Sequence, residues 1–167
     1  MRGYALAVQR PAGEGASELA EALTEFRATG ADVPAPFFFG SLAETLALAR
    51  RFADALAAAC EGISLAETID NRWWLAELYR LKGTMMLRCS KPAEEAEAAL
   101  RHAIELARGQ KARSLELRAV TSLSRLLQEQ GKKDEARRML AEIYGWFTEG
   151  FDTADLKDGQ ALLEELS

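Results

Sequence analysis

The chain has little of what usually carries chemistry. It holds one histidine, His102, and two cysteines, Cys60 and Cys89, among 167 residues. A zinc site or a Ser-His-Asp relay needs more nitrogen or sulfur ligands than this. There is no Gly-x-x-x-x-Gly-Lys-Ser/Thr phosphate loop. The one glycine cluster, Gly13-Glu14-Gly15, is acidic and would repel phosphate. Glu94-Glu95-Glu97 and Glu164-Glu165 read as solvated helix faces and first-turn acids that suit the helix dipole. The sequence therefore predicts no catalytic residue, no metal, no cofactor and no enzymatic activity.

Other absences narrow the partners. The net charge is −5, whereas phosphate neutralisation favours a basic surface; nucleic acid is not an expected partner. No apolar run approaches the roughly 20 residues that span a bilayer, so no membrane segment is expected. Met1 to Arg10 has neither the apolar core nor the cleavage signature of a secretory leader, and the expected location is the cytoplasm. Cys60 and Cys89 fall on different predicted helices and read as free, buried thiols of a reducing compartment. Only four prolines and few β-branched runs interrupt a chain that is 49% hydrophobic and rich in alanine. Alanine is the best helix former, and the expected class is all-α.

What is present is a repeat. Ala16, Ala55, Ala96 and Ala136 stand at nearly even spacing along the chain. Four residues after each come Ala20, Ala59, Leu100 and Leu140, and seven after come Leu23, Gly62, Ala103 and Ile143. Ten after come Phe26, Leu65, Leu106 and Trp146. Such offsets mark one face of a helix. A helical stripe that returns with a period of about 40 residues is the mark of a helical solenoid.

Each repeat reads as helix A, short turn, helix B. The B helices are expected at 14–29, 52–68, 92–109 and 133–147, and the A helices at 35–50, 72–89 and 113–130. Residues 1–9 read as the tail of an earlier A helix, and a last helix is expected near 154–166. Pro11-Ala12-Gly13, Gly30, Pro34-Ala35-Pro36, Ser90-Lys91-Pro92, Gly131 and Gly150 punctuate these segments. Proline suits a first helical turn and glycine a C-cap, and Asp152 or Thr153 suits an N-cap. No linker divides residues 1–167, which read as one domain. Because the first helix begins in mid-repeat, the chain is expected to be a C-terminal fragment of a larger protein, with the last helix as its natural end.

The internal logic resembles the tetratricopeptide repeat. Ala55, Ala96 and Ala136 take its close-approach position in helix B, and Gly83 stands where its helix A carries glycine. The implied architecture is a right-handed superhelix of antiparallel helix pairs. Three stretches are similar to the C-terminal repeat region of large bacterial regulators. They are Arg72 to Gly83 (RWWLAELYRLKG), Ala112 to Ala119 (ARSLELRA) and Tyr144 to Leu156 (YGWFTEGFDTADL). Those regulators join a class III adenylate/guanylate cyclase-like domain, or a DNA-binding domain, to a signal-transduction ATPase and then to tetratricopeptide-like repeats. The resemblance implies an interaction or regulatory scaffold module for signal transduction. It does not carry over the cyclase or ATPase activity, whose segments are absent here.

In such superhelices the A helices line the concave face. The resemblance places Glu44, Glu77, Arg80, Thr84, Arg118, Thr121, Arg125 and Gln128 there. Arg80, Arg118 and Arg125 would form a basic stripe suited to an acidic peptide or to a sister domain of the same polypeptide, since arginine forks grip carboxylates at two points. Equally, those arginines could pair with acids on neighbouring A helices. Two other functions stay open: self-association as a homo-oligomer, and a small-molecule sensor with its ligand near Phe37, Arg80 and Arg118. Trp73-Trp74, Trp146-Phe147 and Phe37-Phe38-Phe39 read chiefly as packing between repeats. Adjacent aromatics cannot all share one helical face, however, so some must point outward.

Overall fold

The computed structural model describes residues 12–30 and 32–167. Those residues form eight α-helices and no strand: α1 (Ala12–Ala28), α2 (Ala35–Leu48), α3 (Phe52–Thr68), α4 (Leu75–Arg88), α5 (Ala93–Gly109), α6 (Arg113–Glu129), α7 (Lys133–Tyr144) and α8 (Ala154–Glu165). The all-α class expected from composition is what is found. The helix expected over residues 1–9 lies outside the described residues.

Every connection between these helices contains one residue with positive φ: Gly30, Arg50, Asp70, Ser90, Lys111, Gly131 and Gly150. The first six recur at even intervals, half a repeat apart. In five of the turns the N–H of the next residue donates to the carbonyl five residues back. The pairs are Arg51 to Leu46, Asn71 to Ala66, Lys91 to Met86, Ala112 to Ala107 and Lys132 to Leu127, at 2.8–2.9 Å. This left-handed closure satisfies the orphan carbonyls at a helix end and turns the chain sharply back. At Gly131 the conformation suits the residue, whereas Arg50, Asp70, Ser90 and Lys111 adopt it against their Cβ.

Short turns make consecutive helices antiparallel neighbours, and each helix packs on the next. The even-numbered helices also meet one another, α2 with α4, α4 with α6 and α6 with α8. No odd-numbered pair of described helices makes comparable contact. The even helices are thus drawn together on one side, and the odd helices fan apart on the other.

Small residues let the layers approach. On the odd helices Ala55, Ala59, Ala96, Ala103, Ala107 and Ala136 are fully buried. On α4 a methyl group at Gly83 would lie 2.8 Å from Leu100 Cγ and 3.0 Å from the Ala96 carbonyl oxygen. The glycine and the alanine read from sequence as a close-approach pair therefore touch backbone to backbone. Apolar side chains fill the space between layers: Leu19, Leu23, Phe39 and Leu42 at the N-terminal side, Ile63, Leu75 and Leu78 in the middle, and Leu100, Leu117, Leu123, Leu140 and Leu162 at the C-terminal side. No helix of the described residues is long and apolar enough to cross a membrane.

Helix α1 opens at Ala12, so Gly13, expected in a break, lies inside the helix, and α2 ends at Leu48, two residues early; two further boundaries differ by about a turn. Trp73 and Trp74 do not open α4; Leu75 N–H closes a turn onto the Arg72 carbonyl, and Trp74 becomes the residue just before the helix. Likewise α7 stops at Tyr144, so Trp146 and Phe147 lie beyond it. Cys60 and Cys89 are free, but Cys60 is exposed and Cys89 half-buried, not buried as expected. Cys60 sits between buried Ala59 and exposed Glu61, just past the core-facing stripe of α3.

Candidate functional site

The side where the even helices meet carries the charged residues singled out in the sequence. Glu77 is the third residue of α4, inside an apolar stretch, and its side chain is only 1% exposed. A carboxylate that deep is tolerable only if guanidinium groups replace its water. Two do so. Arg80, one turn on, donates from Nε to both Glu77 oxygens at 3.0 Å and from Nη2 to Oε1 at 2.6 Å. Arg118 of α6 brings its Nη2 within 2.8 Å of the same oxygen. Glu44 of α2 then joins both arginines, at 3.3 Å from Arg80 and 2.7 Å from Arg118. Residues 44 and 118 belong to α2 and α6, so the cluster ties three helices together over the top of α4.

Burial alone would lower the pKa of Arg80. The Glu77 charge and hydrogen bonds, with Glu44 and Asp155, outweigh it and hold the pKa above the ordinary arginine value. The group stays a cation because its cage is anionic.

The last helix completes this surface. Asp155 lies 3.8 Å from Arg118 Nε, and Asp158 accepts from Arg125 Nη2 at 2.5 Å. Three arginines therefore face four carboxylates: Glu44, Glu77, Asp155 and Asp158. Pairing across neighbouring helices, one of the two arrangements left open by the sequence, is the one present. Thr121 and Arg125 border the same cluster, lining an open pocket together with Arg80, Arg118, Asp155 and Asp158. Thr84 uses its hydroxyl on the Arg80 carbonyl at 2.9 Å, and it lines a shallow groove with Arg125. Gln128 lies three residues beyond Arg125 on α6 and is half-buried.

Phe37 belongs to a different surface. Its ring stacks on Trp73 at 5.9 Å and meets Trp74 and Phe38 edge-on at 5.1 and 5.5 Å. Phe38 continues the row to Phe26 at 5.6 Å, while Phe39 turns into the core. Trp74 lies against α2, where a methyl group at Gly40 would come within 2.8 Å of its Nε1. That indole N–H is buried and has no hydrogen-bond partner. Trp73 is 49% exposed.

These aromatics mark one edge of the helix array, formed by the turns that lead from odd to even helices. Side-chain amides link these turns in series. Asn71 donates to the Val33 carbonyl at 2.6 Å, and Gln110 donates to the Arg72 carbonyl. Val33, Trp73, Trp146 and Phe151 are all exposed in or beside the odd-to-even turns, with Arg113 at the start of α6 lying over the Trp146 ring at 5.5 Å. His102 has its ring edge-on to Tyr79 at 4.6 Å, with a 47% exposed side chain.

Sequence reasoning missed three acids. Asp155 and Asp158 are three residues apart on one face of α8, a spacing visible in the sequence, but nothing local says that α8 returns to α6. Glu116 is buried and held by Arg108 and Arg113, both at 2.6 Å. It stands one repeat after Glu77, and each acid precedes a buried leucine, Leu78 or Leu117. A carboxylate repeating at the period inside the apolar stripe was the available signal.

No family model matches the chain. It is 30% identical over 124 residues, 74% of its length, to an uncharacterized protein of Rhizobium meliloti (strain 1021). The chain spans only 12% of that relative, so it is similar to one segment of a far longer polypeptide.

Proposed function

We propose that this chain is a protein-interaction module of tetratricopeptide-like, right-handed superhelical architecture within a larger bacterial signalling protein. The reading places it in the cytoplasm, without catalytic activity of its own, and coupled to a cyclase-like or ATPase domain. The even-numbered helices take the place of the A helices, and the odd-numbered ones that of the B helices. The observation that carries the reading is the aromatic edge. Exposed Trp73, stacked on Phe37, and exposed Val33, Trp146 and Phe151 follow the odd-to-even turns; of the large exposed apolar residues described, Leu48 at the end of α2 alone lies elsewhere. Large exposed apolar side chains grouped on one surface mark interaction sites, and tryptophan is the residue most enriched at their energetic centres. Arg80 and Arg118, by contrast, already hold carboxylates. The rim residues Arg125, Thr84 and Gln128 are better placed to meet a partner than the caged pair. The extreme difference in length from the relative supports a module that works beside other domains of one polypeptide.

A photo-crosslinking residue installed at position 73, with the exposed position 137 of α7 as control, tests this in cells. A discrete heavier product from 73 and not from 137 supports the reading. A product of twice the chain mass would assign the edge to self-association instead. Equal labelling from both positions, or none from either, would overturn it.

A further inference from the structure

The aromatic edge presents ring faces and indole donors. Trp73 and Trp146 are 49% and 57% exposed, and neither indole N–H has a hydrogen-bond partner among the described residues. The acceptors beside Trp73 are already engaged. The Arg72 carbonyl takes the Leu75 N–H at 3.1 Å and the Gln110 amide, the Trp74 carbonyl takes the N–H groups of Glu77 and Leu78, and the Val33 carbonyl takes the Asn71 amide. The charges of this turn are matched as well, Arg72 with Asp70 at 2.9 Å. At the far end of the edge Phe147 meets the Trp146 ring edge-on at 5.2 Å, and Arg113 lies over it.

Size limits the partner. An aromatic side chain buries about 150–250 Å², so the open parts of Trp73, Trp146, Phe151 and Val33 amount to roughly 400 Å². A stable complex of folded chains covers about 800 Å² on each partner. The apolar surface of the edge is too small to hold a second copy and fits a short segment. Chemistry narrows the choice further. A helix keeps its carbonyls bonded within itself and has none for an indole N–H. An ordinary extended segment brings N–H groups that find no acceptor beside Trp73. A proline-rich segment brings carbonyls, apolar rings and no N–H of its prolines.

The geometry points to a proline-rich segment in the polyproline II conformation as the ligand of this edge. Such binding presupposes that the edge is a docking surface, as proposed above. Proline rings would lie on the faces of Trp73 and Trp146, and each indole N–H would donate to a ligand carbonyl. Packed helices lie about 8–10 Å apart. Crossing from the turn before α4 to the turn before α8 therefore takes about 20 Å, or about six residues at about 3.1 Å each.

Fluorescence anisotropy of dye-labelled decaproline, titrated with the whole chain, tests it, with a glycine–serine peptide of equal length as control. Saturable binding of decaproline and none of the control is expected. Trp73→Phe and Trp146→Phe, which keep a ring and lose the donor, should each weaken binding about three- to tenfold. Trp73→Ala should weaken it by more than about tenfold. Leu48→Ala, at the exposed leucine away from the edge, should bind like wild type. Absence of saturable binding, equal binding of the control, or both phenylalanine variants binding like wild type would overturn the proposal. A crosslink from position 73 without decaproline binding would overturn this ligand class and leave the docking reading standing.

Discussion

Glu77 and Trp74 lie three residues apart at the start of α4, yet the chain treats them in opposite ways. Glu77 has two guanidinium partners and almost no exposure. Trp74 keeps a buried N–H without a partner, beside the half-exposed ring of Trp73. The carboxylates of the even-helix face are met by guanidinium groups, although the Thr121 hydroxyl there is buried without a partner, whereas the aromatic edge keeps an unpaired indole and exposed rings. Charge alone would direct attention to the arginine stripe, but a paired charge is part of the frame. What remains for a partner is what the fold leaves unfinished.

This contrast predicts a large difference in stability. Glu77→Ala should cost about 3–5 kcal/mol, because it leaves Arg80 and Arg118 facing a cavity without their anion. Trp73→Ala should cost less than about 1 kcal/mol, as a half-exposed ring stacked on another. Urea unfolding of both variants measures this. Equal losses would break the distinction between frame and edge.

The next effect lies where the edge meets the frame. Gly40→Ala pushes a methyl group to 2.8 Å from the Trp74 indole nitrogen. Overpacking of this kind costs about 1–3 kcal/mol. It should also change the fluorescence of the tryptophan pair, while a substitution at the caged arginines should leave that signal as it is.

A smaller effect comes from the opposite face. There Glu97 of α5 bonds Arg101 at 2.8 Å, and Arg101 reaches Glu135 of α7 at 2.9 Å. Partial burial would raise the Glu97 pKa, but the bonds from Arg101 and Gln130 and the Lys132 charge outweigh it, so the carboxyl titrates below its ordinary range. A carboxylate lowered in the folded state stabilises above its unfolded pKa, and the contribution is lost as pH falls through the folded value. Glu97→Gln should lower stability by about 1 kcal/mol at neutral pH. The difference from wild type should shrink below about pH 4. A pH-independent difference would mean that the loss is one of packing.

The smallest effect should be a gain. Lys111 takes a positive φ of 56° in the turn between α5 and α6. Lys111→Gly relieves that strain, less the added freedom of the unfolded chain, for about 0.5 kcal/mol. Thermal melting checks the sign.

Much of the helix layout was legible because two signals coincide. The alanine-leucine stripe recurs once per repeat, and glycine or proline stands at several of its breaks. The Gly83–Ala96 approach could be read from residue size. Less legible were the turns at Arg50, Asp70, Ser90 and Lys111, whose left-handed geometry is imposed by the half-repeat length and not by the residue. The Trp73–Trp74 pair was placed inside a helix because its pattern continues that of α4; the turn at Arg72 overrides it. For the candidate site, Glu44, Glu77, Arg80 and Arg118 were gathered onto one face by the tetratricopeptide resemblance and not by the period itself. Their mutual pairing, the arrival of Asp155 and Asp158, and the unpaired hydroxyl of Thr121 depend on how far α2, α6 and α8 close over α4. That is a property of the whole array, invisible in any one repeat.

The most direct test of the self-satisfied face is a double-mutant cycle between Glu77 and Arg118, read by urea unfolding of the two single variants to glutamine and of the double variant. If α4 and α6 are tied through a shared ion pair, the coupling should exceed about 1.5 kcal/mol, toward the upper end for contacting residues. Additive losses, within about 0.5 kcal/mol, would contradict it and return the arginine stripe to the set of surfaces open to a partner.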